Sequence, residues 1–90
     1  MANVTDNTAA GRYEMIEADQ VAYADYRLEG GRLIIDHVFT PPPLRGAGTA
    51  GRLMQGVAAD VRARGLKITP LCGYAAAWIR RHPETVDLLA

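Results

Sequence analysis

The sequence is poor in the residues that would tie it together covalently or pull it to a charged partner. It holds one cysteine, Cys72, which can form no internal disulfide and no cysteine-based metal cluster. It has no charge excess: ten basic and ten acidic residues cancel, where a nucleic-acid binder shows a basic surplus. No apolar run is long enough to span a bilayer, so no membrane partner is expected. The N-terminus shows no basic stretch followed by an apolar core, so no secretory signal is read there. A lone thiol and no signal fit a reducing, cytoplasmic location. What remains is an ordinary globular composition: 90 residues, 49 % of them hydrophobic, too apolar for a disordered chain. A domain of this size buries only about two-thirds of the surface its unfolded chain exposes, so the core is thin.

The polar, small residues 1–10 read as a flexible tail, and residues 11–90 as one domain. Arg12–Glu17 alternates as a half-buried strand does, with Tyr13 and Met15 on one face. Val21–Leu28 repeats the pattern after a turn at Asp19-Gln20. Gly30-Gly31 is a hairpin signal because both residues accept positive φ, and Leu33 to Phe39 or Thr40 follows as a third strand. These three strands are expected to form an antiparallel meander. From about Leu44 to Arg64, apolar residues recur at three- and four-residue spacing and predict a long amphipathic helix, stopped by Gly65. Gly51 and Gly56 fall inside it, each at about 1 kcal/mol relative to Ala, which implies close packing or close approach of a ligand. Leu66–Leu71 predicts a short strand, which the crossover makes parallel to the third. Gly73–His82 predicts a C-terminal helix broken by Pro83, with another short helical turn within Glu84–Leu89. The fold class is therefore α/β with a mixed sheet: meander, long helix, parallel strand, C-terminal helix.

The strand-to-helix junction at Arg45–Gly51 carries three glycines within six residues. Glycine lets a ligand lie against the backbone, and a helix start offers spare N–H groups and a positive dipole end. This combination predicts an anion site, above all for phosphate, on Arg45, Gly46, Ala47, Gly48, Thr49 and Ala50. Gly46-Ala47-Gly48-Thr49-Ala50-Gly51 also matches G-x-G-x-x-G, but the next strand has no acid to hold a ribose, so a dinucleotide fold is disfavoured. A P-loop fails because Arg52-Leu53 stands where Lys-Ser/Thr is required.

Arg45-x-x-Gly48-x-Ala50 resembles the acyl-CoA signature of the GNAT acyltransferase superfamily. A longer pattern covers Asp36-His37, Pro41-Pro42-x-Leu44-Arg45-Gly46-x-Gly48, Arg64-Gly65-Leu66-Lys67-Ile68-x-Pro70-Leu71-Cys72 and Arg81-His82-Pro83-Glu84. It resembles the compact, single-motif GNAT-like N-acetyltransferases over nearly the whole chain. The resemblance implies a minimal GNAT-like fold, acetyl-CoA with its pyrophosphate on the Arg45–Ala50 amides, and acetyl transfer to a small-molecule or protein amine, by a monomer or homodimer. The rival expectation is a CoA-binding module with little catalysis. It draws on two departures: Phe39 stands where the resemblance places a glutamate base, and no helices precede the first strands.

Three side chains are candidates for the chemistry. His37 is the nearest side chain in sequence able to accept the amine's proton. Asp36 beside it is uninformative, since neighbours on a strand point to opposite faces. Tyr74 sits where the resemblance places a phenol that protonates the leaving thiolate; otherwise it is a packed aromatic. Cys72 precedes a helix start, which favours thiolate: it is an acyl carrier, a pocket thiol, or a small buried hydrophobe. Trp78 and Ile79 are read as core. Arg80-Arg81 is either a contact for a CoA phosphate or a solvated helix end. No metal is required.

Overall fold

The computed structural model describes residues 4–90. Four strands, β1 (Val4–Asn7), β2 (Arg12–Glu17), β3 (Gln20–Glu29) and β4 (Arg32–Phe39), run as an antiparallel meander. A 3-10 turn at Pro42–Leu44 leads to helix α1 (Thr49–Ala63). Strand β5 (Lys67–Pro70) then joins β4 in parallel, completing a five-stranded sheet ordered β1-β2-β3-β4-β5. Helix α2 (Gly73–Arg80) and a 3-10 helix at Pro83–Leu88 follow, and Leu89 bridges back to Ile68. The parallel β4–β5 pairing is the one expected from the crossover.

The N-terminal tail is the first correction. Residues 4–7 are not a loose tail but an edge strand, Val4 pairing with Met15 and Asn7 with Arg12; Met1–Asn3 lie outside the described residues. The strand is too polar for an alternating apolar pattern to reveal it, because tertiary partners satisfy its side chains. Tyr26 Oη donates to Asp6 Oδ1 at 2.5 Å, and Arg64 Nη1 donates to the other Asp6 oxygen at 3.1 Å. Burial, and then that carboxylate, pushes the pKa of the Tyr26 hydroxyl up to about 12.

The second correction is the start of the long helix. It begins at Thr49, not Leu44, because Gly46 and Gly48 have φ of +83° and +81°, which no α-helix accommodates. Residues 45–48 are therefore loop. A smaller shift occurs at the β2–β3 hairpin, whose turn residues are Ala18 and Asp19, both at positive φ, and not Asp19-Gln20.

Helix α1 lays Leu53, Met54, Val57 and Val61, all with no exposed surface, across one sheet face. Ala22 and Ala24 beneath it are equally buried and small enough to let the helix approach. Trp78 and Ile79 of α2 close the same core, as read from the sequence. The opposite face carries the alternate residues of β2–β4. Among the described residues no helix is long and apolar enough to cross a membrane, and no three metal-ligating side chains converge.

Candidate functional site

β4 and β5 lie side by side only from Arg32↔Lys67 to Ile35↔Pro70. Proline cannot donate to a ladder and ends the pairing there. The amides of Leu71 and Cys72 both turn onto the Ile35 carbonyl, at 3.0 and 3.2 Å, and the chain leaves for α2. β4 runs four residues further with only β3 beside it. Its freed edge forms one wall of a cleft of about 450 Å³. Loop 45–48 with the first turn of α1 forms a second wall, and Tyr74 contributes from α2.

The structure brings His37, Arg45, Gly46, Gly48, Thr49, Ala50 and Tyr74 to this cleft. Ala47 and Cys72 do not line it. Ala47 turns its amide onto Leu44 O at 3.2 Å, and the Arg45 amide bonds Pro42 O at the same distance. The amides of Gly46, Gly48, Thr49 and Ala50 have no backbone acceptor among the described residues, nor does that of Gly51. Thus five free donors lie at the dipole-positive end of a 15-residue helix. Gly46 has open space where a Cβ would be, so among protein contacts only its positive φ calls for glycine. The Arg45 side chain donates from Nε to Thr40 O at 3.0 Å, pinning the loop to the end of β4.

A brace that sequence reading missed holds this loop from below. Glu17, at the end of β2, accepts Thr49 Oγ1 at 2.6 Å and takes Arg52 through Nε at 2.8 Å and Nη2 at 2.9 Å. Arg52 Nη2 also reaches Ala47 O at 3.1 Å, so one guanidinium ties β2 to the loop backbone. Arg52, with Thr49 next, holds the Glu17 carboxyl down to about 2. The partners are 32 and 35 residues apart, and no local pattern links them.

The two helical glycines have different reasons. A Cβ on Gly56 would sit 2.4 Å from Val4 Cγ2, so β1 packs against bare backbone there. A Cβ on Gly51 would meet only Trp78 Nε1 at 3.6 Å and Tyr74 Oη at 4.0 Å, which is ordinary contact, and Gly51 lines the cleft.

Tyr74 is half-buried, and its hydroxyl has no protein hydrogen-bond partner among the described residues. Burial raises its pKa, with Arg81 pulling weakly the other way, so at neutral pH it is a proton donor. His37 is exposed, on the face away from α1. The expectation that Asp36 and His37 point to opposite faces is overturned by a β-bulge. Asp25 pairs with His37 and Tyr26 with Ile35, leaving Asp36 as the extra residue. Asp36 consequently reaches Arg27 at 2.8 Å while the His37 ring meets Tyr23, both on the same side. Cys72 precedes α2 and packs partly on the core. Trp78 is buried and stacks on His82 with ring centroids 4.0 Å apart. Arg80 and Arg81 end α2 exposed and without ion pairs among the described residues.

A family model described as GCN5-related N-acetyl-transferase matches residues 12–88. No curated protein matches the chain. Among solved structures, the NMR solution structure of a GCN5-like protein from Staphylococcus aureus, named there only as a candidate N-acetyltransferase, superimposes with a TM-score of 0.70. The match covers 100 % of this chain and 91 % of that one. At 21 % identity that likeness is one of fold.

Proposed function

Since the chain belongs to the GCN5-related N-acetyltransferase family, we propose that its cleft binds acetyl-CoA and that it transfers the acetyl group to an amine. The observation that carries this reading is the set of unbonded amides of Gly46, Gly48, Thr49, Ala50 and Gly51 at the head of a cleft that follows the unpaired edge of β4. These amides suit a pyrophosphate. The free β4 edge suits an extended arm bearing amide groups, which bonds it as an added strand would. The bound group supplies an activated acetyl thioester. His37, exposed beside the cleft, takes the proton that the attacking amine loses. A nitrogen–carbon bond forms at the acetyl carbon and the carbon–sulfur bond breaks. Tyr74 gives its phenolic proton to the departing sulfur, and solvent returns a proton from His37 to Tyr74. Direct attack needs no enzyme nucleophile, and Cys72 stands outside the cleft lining.

A second reading, a CoA-binding module with little turnover, draws support from Phe39, which stacks on Tyr23 and offers no base. Calorimetric titration with acetyl-CoA and free CoA, joined to mass spectrometry of an amine panel, separates the two. Transfer predicts binding plus acetylated amine. Binding without product supports the module, and no binding of either ligand rejects both.

A further inference from the structure

The cleft opens onto the sheet face that α1 leaves uncovered. There Tyr23 stacks on Phe39, with ring centroids 5.2 Å apart, and the edge of Tyr23 meets His37 at 6.4 Å. His37 and Phe39 also line the cleft, so this aromatic floor is continuous with it. The charges on the face are nearly all matched. Arg12 pairs with Glu14 at 2.6 Å and caps the Tyr23 ring at 4.4 Å, and Arg27 takes Asp36 at 2.8 Å. Asp25 is the exception. It is half-buried, directly across the strands from His37 on one side and Arg12 on the other. Yet it makes no ion pair and no side-chain hydrogen bond among the described residues, because Arg12 turns to Glu14 instead. A half-buried carboxylate without a partner is matched by an ammonium group; the rings beside it already carry Arg12 at 4.4 Å and Arg45 at 5.9 Å, so they add apolar contact and not a second cation site.

Resting on the acetyl-transfer reading, we propose that this face is the acceptor site and that the acceptor is an alkyl diamine. Its non-reacting ammonium is held by Asp25 and its carbon chain lies on the Tyr23–Phe39 floor. Its second amine reaches past His37 into the cleft. Asp25 is then the residue that selects for a second positive charge, and His37, one strand nearer the cleft, handles only the reacting nitrogen. A monoamine of equal length has the same apolar contact and nothing for Asp25.

The test uses 1,5-diaminopentane and 1-aminopentane, each titrated into the full chain with and without free CoA and followed by amide and ring NMR signals. The diamine is expected to move the signals of Tyr23, Asp25, His37 and Phe39 saturably and to bind about tenfold tighter than the monoamine, a margin that shrinks with salt. Asp25→Asn should bring the two ligands together, Asp25→Glu should keep the preference, and Asp19→Asn, an equal loss of charge on the distant hairpin turn, should leave it intact. No preference in the parent, or a preference that survives Asp25→Asn, overturns the proposal. Neither result depends on acetyl transfer. Diamine binding with no acetylated product would overturn the diamine's role as acceptor while leaving the Asp25 ammonium site standing, and no product from any amine would count against the transferase reading itself.

Discussion

Gly51→Ala separates folding from ligand binding more sharply than any other single change. The glycine is the third residue of α1 and takes ordinary helical backbone angles. Alanine there is favoured by about 0.5–1 kcal/mol. The added methyl would contact Trp78 Nε1 at 3.6 Å and Tyr74 Oη at 4.0 Å, distances that incur no steric cost. Thermal unfolding should therefore rise by roughly 2–8 °C for a domain this small. The same methyl projects into the cleft wall. If the cofactor lies against that wall, inserting a methyl into the filled site costs about 1–3 kcal/mol, which is roughly 5- to 150-fold in affinity. The assay is a paired melting curve and calorimetric titration with acetyl-CoA. A raised melting temperature with unchanged affinity would refute the placement of the cofactor. A lowered melting temperature would refute the steric argument itself. Gly56→Ala is the control with the opposite sign: its methyl would overlap Val4 Cγ2 at 2.4 Å, so stability should fall and the amides of Val4–Asn7 should exchange faster.

Three further outcomes follow from the site. Glu17→Gln should weaken acetyl-CoA binding and change the response to acid. The carboxyl is held from its ordinary 4.5 down to about 2, so its stabilising contribution is complete above about pH 4.5 and fades as pH falls toward 2. Urea midpoints from pH 2 to 6 should fall more steeply in the parent than in the variant, since Glu14, Asp36 and Asp87, also held down by arginines, give both proteins the remaining slope; parallel curves would remove Glu17 from the brace. Tyr74→Phe should lower kcat by about 100-fold or more while leaving acetyl-CoA affinity intact. An equal loss in both would make Tyr74 a binding group instead. Cys72→Ala should retain transfer, and the parent should gain no acetyl mass on incubation with acetyl-CoA. A hydroxylamine-sensitive adduct would reinstate the thiol as an acyl carrier.

Most of the architecture was legible because local rules specify it. Alternation marked β2 to β4, Gly30-Gly31 marked the hairpin, and the spacing of Leu53, Met54, Val57 and Val61 marked the buried face of α1. A parallel β5 follows from chain connectivity, since a helix between adjacent strands of one sheet returns the chain in the same direction. The strand-to-helix junction with its glycines was legible for the same reason: helix ends and positive φ are properties of a few consecutive residues. Its detail was not. The sequence offered six amides, and only the folded loop shows that those of Arg45 and Ala47 close turns of their own. The tertiary structure alone decided what depends on distant partners. β1 exists because Tyr26, Arg64 and the bare Gly56 receive it. Glu17 reaches the loop only because β2 ends beneath α1. The bulge at Asp36 turns two adjacent side chains to one face, which no period-two reading anticipates. Asp25 lacks a partner because Arg12, its cross-strand neighbour, pairs with Glu14. Short-range conformational preference is written residue by residue, whereas the pairing of charges and the room left at a glycine depend on the assembled neighbours.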